Sequence, residues 1–178
     1  LGNEIYKFAS KIFPYHRHLM GYGVRKTLKD IKKIIPKLKI HEVPSGYKCF
    51  DWRVPLEWKI EEAFIEEISS GKKLIDLKNN NLHIVQYSTS INKIINKKDL
   101  LKKLHYNKKL PNAIPYKTTY YKKDWGFCIK YNDLKKFNKD KYRVVINSKF
   151  FKGSMTYGEI YLPGKINKEI FLTTYICH

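Results

Sequence analysis

The closing stretch KEIFLTTYICH, residues 168–178, decides how this chain is read. EIFLTTYIC is nearly continuous in apolar and β-branched side chains, with Thr173 and Thr174 as its mildest interruption. Such a run predicts a strand covered on both faces, as at the centre of an α/β sheet, whereas a half-exposed strand would alternate with polar residues. His178 follows it directly. Ligands and metals gather at the carboxyl ends of strands in open α/β sheets, and a neutral imidazole placed there suits zinc. The plainer reading is a boundary that happens to fall after a histidine. Cys177 precedes His178, and adjacent strand residues point to opposite faces, so the two are not expected to chelate one ion.

Working outward, GSMTYGEIYLPG (153–164) alternates Met155, Tyr157 and Glu159 against Thr156, Gly158 and Ile160, a strand pattern ended by a Pro-Gly turn. At the other end of the chain, Ile5, Phe8, Ile12 and Phe13 fall at helical spacing before Pro14. A second helix is expected with Val24, Leu28, Ile31, Ile34 and Ile35 on one face, stopped by Pro36. KLKIHEV (37–43) then alternates as a strand does. Between these ends lie short β-like runs: YKCFDWRV, WKIEEAFI, KLIDL, LHIVQYS, YKTTYY and YRVVIN. Two helical interruptions are expected among them, NKKDLLKKLHYN with Asp99 in its first turn, and IKYNDLKKFN. The order predicts an α/β domain built from residues 1–44 and 154–178, with its first strands separated by a β-rich module, 45–153. KLKIHEV and EIFLTTYIC are expected to share a sheet.

The net charge of +20 comes from 36 basic and 16 acidic residues. Such an excess raises polyanion binding as one function class. Only Arg17, Arg25, Arg53 and Arg143 are arginine, however, so the remaining 32 are lysine. Phosphate clamps and base readers favour the planar arginine fork. Lysine spread evenly among Asn, Ile and Tyr reads as a solvated surface, and nucleic acid is not the expected partner. No run reaches the roughly 18 apolar residues of a membrane span. Glu4 and the regular lysines interrupt any signal-peptide core, so the cytosol is the expected compartment. Cys49, Cys128 and Cys177 form no CxxC pair, and each is expected to be a small buried hydrophobe.

His16 and His18 could offer two nitrogens to one metal, but with no acidic or Cys neighbour in sequence a solvated loop is expected there. His41, His83 and His105 read as ordinary surface or half-buried residues. Asp51 and Arg53 flank Trp52, with Trp58 close by; the cluster could form a sugar or peptide platform, and a hydrophobic anchor with an ion pair at its rim is the expected form. Tyr120, Tyr121, Trp125 and Phe127 repeat that flavour. No HExxH, GxSxG or phosphate-loop signature is present, and no catalytic set can be assembled from these residues.

Taken in order, FPYHRHLMGYGVRKTLKDIKKIIP, IHEVPSGYKCFDWRVPLEWKI, NNNLHIVQYSTSI, LPNAIPYKTTYYKKDWGFC, GSMTYGEIYLPG and IFLTTYICH resemble the amino-terminal part of a bacterial aminopeptidase-like family. Its members are often labelled polysaccharide-biosynthesis proteins. The resemblance covers essentially all 178 residues. It implies a zinc exopeptidase related to leucine aminopeptidases, with a β-rich domain inserted early and peptides or amino-acid conjugates as substrates. Zinc in such an enzyme would polarise a carbonyl and acidify bound water. His178 corresponds to the family's first metal ligand; the other ligands and the general base lie downstream in the family, so this chain alone is expected to be inactive. PYHRHLMGYG departs from the family, where an Asn-Arg-Ser step is usual. Two further readings stand beside this one: a non-catalytic peptide- or saccharide-binding module on a peptidase scaffold, and a basic polyanion-binding protein.

Overall fold

The computed structural model describes residues 1–176; Cys177 and His178 lie outside the described residues. In chain order the elements are helices α1 (Gly2–Ile12) and α2 (Tyr22–Ile34), then strands β1 (Lys39–Pro44), β2 (Lys48–Cys49) and β3 (Trp52–Arg53). Strands β4 (Glu57–Glu67), β5 (Lys73–Asp76) and β6 (Ile91–Asn96) follow, then helix α3 (Lys97–Leu101) and strand β7 (Leu104–His105). Strands β8 (Phe127–Cys128), β9 (Lys141–Phe151) and β10 (Ser154–Glu159) complete the set, with 3-10 turns at Asn81–His83 and Tyr131–Lys136. The fold is mixed α/β with small sheets. It divides into two compact units, one made of Leu1–Glu57 and the residues from Phe151 onward, the other of Trp58–Phe150. The divisions therefore fall at 57/58 and 150/151, where composition placed them at 44/45 and 153/154.

The first unit is built on α2 and a two-stranded ribbon. Val24 and Leu28, one helical turn apart, are buried with Leu38, and Ile31, Ile40 and Ile176 pack against them. Ile34 and Ile35 at the end of α2 are exposed, so the predicted apolar face is buried only over its first two turns. β1 pairs antiparallel with β10, from Lys39 opposite Glu159 to Pro44 opposite Ser154. Gly158 sits opposite Ile40 in this ladder, and a Cβ there would come within 2.8 Å of the Leu28 Cδ2, so the ribbon can approach α2 only because that side chain is missing. Helix α1 forms as its periodicity predicts but buries no residue fully.

The expectation of a central strand over EIFLTTYIC is not met. No strand is present from residue 160 to 176, and Ile170, Phe171, Leu172 and Tyr175 are almost fully exposed. β1 takes β10 as its partner, so KLKIHEV and EIFLTTYIC do not share a sheet. Apolar sequence states that a segment gains by burial, but a strand also requires neighbours whose N–H and C=O groups pair with its own. Among the described residues this segment has none.

The second unit centres on a four-stranded sheet in the order β5-β4-β9-β6, with a separate parallel pair β7-β8. β5 runs antiparallel to β4, and β6 antiparallel to β9, from Ile91 opposite Ile146 to Asn96 opposite Lys141. Along β9, Tyr142, Val144, Ile146 and Ser148 are buried while Arg143, Asn147 and Lys149 are exposed, the period of two of a sheet over a core, interrupted at Val145, which is buried on the other face. α3 begins where Asn96 accepts a hydrogen bond from the Asp99 N–H at 2.9 Å, with Asp99 in the first turn as its sequence predicts. LHIVQYS and YKTTYY do not become full strands; they touch through a single parallel bridge, Gln86 with Thr118. β6 was not foreseen, because in INKIIN the strand period is masked by a doubled isoleucine. No helix of the described residues is long and apolar enough to cross a membrane.

The Leu28 cluster gives a direct stability test. Leu28→Ala should cost about 3 kcal/mol, since it leaves a cavity under the ribbon, whereas Ile34→Ala on the exposed end of the same helix should stay within about 0.5 kcal/mol. Urea unfolding of the two variants, at unchanged slope, checks the contrast.

Candidate functional site

The one metal-ligand candidate singled out by sequence, His178, falls outside the described residues. Other ionisable and aromatic candidates are placed by the fold, several of them differently from expectation.

Residues 15–25 form a polar, buried corner of the first unit. Arg25 on α2 grips Glu57, the first residue of β4, through two hydrogen bonds, Nη1 to Oε2 at 3.1 Å and Nη2 to Oε1. Nη1 also reaches the Ser154 carbonyl at 3.4 Å, so one guanidinium ties α2, the start of β4 and β10. The Glu57 side chain is only 6% exposed, and its hydrogen bond to Arg25 raises the pKa of the guanidinium. Paired, a buried carboxylate of this kind is stable; stripped of its partner it is costly. Sequence gave no signal for this pair, whose members are 32 positions apart.

His18 is buried, not in the solvated loop expected for PYHRH. Burial, then the nearby His16 and the Arg25 guanidinium, push its imidazolium pKa down to about 3, so the ring is neutral at ordinary pH. His16 lies edge-on to it with ring centroids 5.4 Å apart. Arg17 is buried too, donating to the Ile12 carbonyl at 2.8 Å. Two glycines allow this tight path. Gly21 sits at φ 131°, and a Cβ on Gly23 would fall 2.0 Å from the His16 carbonyl oxygen. On α2, Asp30 accepts hydrogen bonds from Lys33 and Tyr15, which hold its carboxyl down at about 2.

This corner does not fit zinc. Catalytic zinc needs about three protein ligands, and among the described residues no group of three His, Cys, Asp or Glu side chains could hold a metal ion. His16 and His18 supply two rings at most, and Glu57 is already occupied by Arg25.

The aromatic candidates separate. Trp58 is fully buried in the second unit and stacks on Tyr87 at 5.8 Å, so it is core and not platform. Its indole N–H donates to the Ser88 carbonyl at 2.9 Å, which also accepts from the Ser148 hydroxyl at 2.8 Å. The Ser88 hydroxyl in turn donates to the Val85 carbonyl and accepts from the Gly126 N–H. These bonds hold Tyr87 at φ 65°, a left-handed conformation that a bulky residue rarely takes. Trp52 lies on the β2–β3 hairpin of the first unit. No ion pair joins Asp51 and Arg53 among the described residues; Arg53 donates to the Gly46 carbonyl at 3.2 Å instead. Cys49, expected in the core, is exposed beside Phe50, which turns the hairpin at φ 53°. Cys128 is buried as expected, and burial pushes its thiol up to about 12. Tyr120 and Tyr121 lie ring against ring with hydroxyls 3.3 Å apart, Phe127 is buried, and Trp125 is half-buried.

His18 makes stability depend on pH with a definite sign. Its pKa is lower folded than unfolded, so between about 6.5 and 3 the unfolded chain holds a proton that the folded chain lacks. Folded stability is therefore complete above pH 6.5 and falls with acid, at a slope approaching about 1.4 kcal/mol per unit. His83 and His105 are shifted in the same direction, chiefly by burial, so the readout is a difference. Urea midpoints from pH 7 to 4.5 should decline less steeply for His18→Gln than for the parent.

Comparison with known proteins bears on the whole chain. A sequence profile named "Domain of unknown function (DUF2172)" matches residues 57–149, just over half of the chain and close to the span of the second unit. A protein of Clostridium acetobutylicum, provisionally named a polysaccharide biosynthesis protein with an aminopeptidase-like domain, is 47% identical over 177 residues. That match covers 99% of this chain and 40% of the relative. A crystal structure from Clostridium acetobutylicum, described provisionally as a peptidase, superposes with a TM-score of 0.92 at 46% identity, covering 99% of this chain and 42% of that one. The chain thus spans about two fifths of the length of the relatives it matches. By the profile that matches just over half of it, the chain belongs to the DUF2172 family, and along nearly its whole length it is similar to a bacterial protein named for an aminopeptidase-like domain.

Proposed function

We propose that this chain is the amino-terminal part of a zinc-dependent, aminopeptidase-like hydrolase linked to surface-polysaccharide biosynthesis, acting on peptides or amino-acid conjugates. The observation that carries the reading is agreement in both sequence and fold along 99% of the chain with relatives named aminopeptidase-like and peptidase. On this reading the first unit opens the hydrolase domain and the second is a module inserted into it. His178 is the one residue of the chain assigned to the metal. Two or more further ligands and the general base would come from a longer protein, since the described residues offer no ligand set. The chain by itself would then bind no catalytic zinc and turn over no substrate.

The test compares two proteins: these 178 residues, and the product of the gene's full reading frame. Zinc content by plasma mass spectrometry and hydrolysis of leucine p-nitroanilide are measured on both. The full product should hold zinc and release nitroaniline, and His178→Ala in it should lower turnover by at least about a hundredfold. The 178-residue chain should do neither. Stoichiometric zinc or real turnover in the short chain, or full activity after His178→Ala, would sink the reading.

A further inference from the structure

The outer face of the second unit's sheet carries a groove of about 720 Å³, within the usual range of ligand sites. Its floor is apolar but almost closed: Phe64 on β4 and Val145 on β9 are each less than 8% exposed. Lys73 on β5 covers the Phe64 ring, its Nζ 3.9 Å from the centroid. The half-buried Ile91 on β6 and the Trp125 ring are the apolar surfaces left open to a ligand.

The walls are polar, and part of their hydrogen-bonding capacity is unspent. Among the described residues the Ser90 hydroxyl, the Asn92 amide and the Trp125 indole N–H have no hydrogen-bond partner. Arg143 meets only Glu66, at 3.9 Å, leaving most of its donors open. Asn147 donates to Glu61 at 3.1 Å and keeps its carbonyl free to accept. Trp125 closes one side as a half-buried ring, with Lys103 Nζ 5.5 Å from its centroid.

Charge in the groove departs from the rest of the molecule. The chain as a whole has 36 basic against 16 acidic residues. The lining has Lys93 and Arg143 against Glu62, and around it Lys73 and Lys103 stand with Glu61, Glu66 and Asp124, so the two signs nearly balance. A polyanion would find no concentrated positive field here, while a ligand dense in hydroxyls would find donors and acceptors interleaved beside an aromatic face. A peptide anchored by side chains needs several open apolar pockets, and apart from the Trp125 ring this lining offers the half-buried Ile91.

We propose that this groove binds an uncharged oligosaccharide, its hydroxyls held by Ser90, Asn92, Asn147 and Arg143 and one sugar face laid against Trp125. The inference stands whether or not the hydrolase reading holds, because it rests on the second unit alone and is read without any assay of turnover.

The experiment is a ¹⁵N NMR titration of the 178-residue chain with cellotetraose, maltotetraose and chitotetraose separately, alongside tetra-alanine and heparin. At least one tetrasaccharide should give saturable shifts at the Trp125 indole and the Asn92 and Asn147 side-chain amides. Trp125→Ala should weaken that binding by about tenfold or more, as loss of a central aromatic contact does. Asn92→Ala, on an exposed strand position, should weaken it severalfold with no change in the thermal melt. The proposal is overturned if none of the three sugars saturates at millimolar concentration, if the shifts map elsewhere, or if tetra-alanine or heparin moves these resonances and the sugars do not.

Discussion

The pairing of β1 with β10 is the constraint on which the first unit rests. Lys39–Pro44 and Ser154–Glu159 are more than a hundred residues apart, yet they form one antiparallel ladder. The ladder is extended past its end by a reciprocal pair, Ser45 N–H to the Gly153 carbonyl and Gly153 N–H to the Ser45 hydroxyl. Closing so long a loop costs entropy, though only slowly with length: each doubling adds about 0.6 kcal/mol. What repays it is the apolar cluster of Val24, Leu28 and Leu38, which β10 helps to cover because Gly158 brings it against Leu28. Without that ladder, α2 would keep its helical propensity but lose the surface that buries it.

Much of this was legible in sequence where a rule of period applied. Val24 and Leu28 announce the buried face of α2, Pro36 its end, and the alternation of 154–159 its strand. The failures have a common cause, which is that partners are not written in the segment they serve. EIFLTTYIC has the side chains of a central strand, but a ladder partner is a property of the rest of the sheet. PYHRH reads as a polar loop because its burial depends on the close backbone path that Gly21 and Gly23, further along the chain, allow. Trp58, by contrast, is the buried anchor expected, its N–H taken by Ser88 thirty residues on, while the ion pair expected at its rim is absent among the described residues, where Arg53 donates to Gly46.

The lysine excess has a physical place in the fold without a specific partner. Lys33 with Asp30, Lys102 with Asp99 and Lys136 with Asp133 are spacing-of-three pairs on helical turns, each of small worth in water. Other lysines set their ammonium groups over aromatic faces, Lys26 over Tyr15 and Lys73 over Phe64, where the ring quadrupole attracts the charge. A chain rich in tyrosine and phenylalanine can use lysine in this way as a solubilising cover. That use spreads the charge over the surface and does not need the arginine forks of a phosphate site.

The profile of unknown function and the second structural unit nearly coincide, 57–149 against 58–150, although neither edge lies in a linker. Both edges fall inside strands, at the first residue of β4 and the last of β9. Domain boundaries more often fall in exposed flexible segments where few contacts cross. Here the edge residue Glu57 is instead held by Arg25, and the Ser88 carbonyl fastens Trp58, the next residue, to the second unit. Two adjacent positions are thus pinned by two different networks, one on each side of the division. The second unit behaves as a unit in sequence comparison because it closes its own core, with Trp58, Ile65, Phe127 and Tyr142 all fully buried.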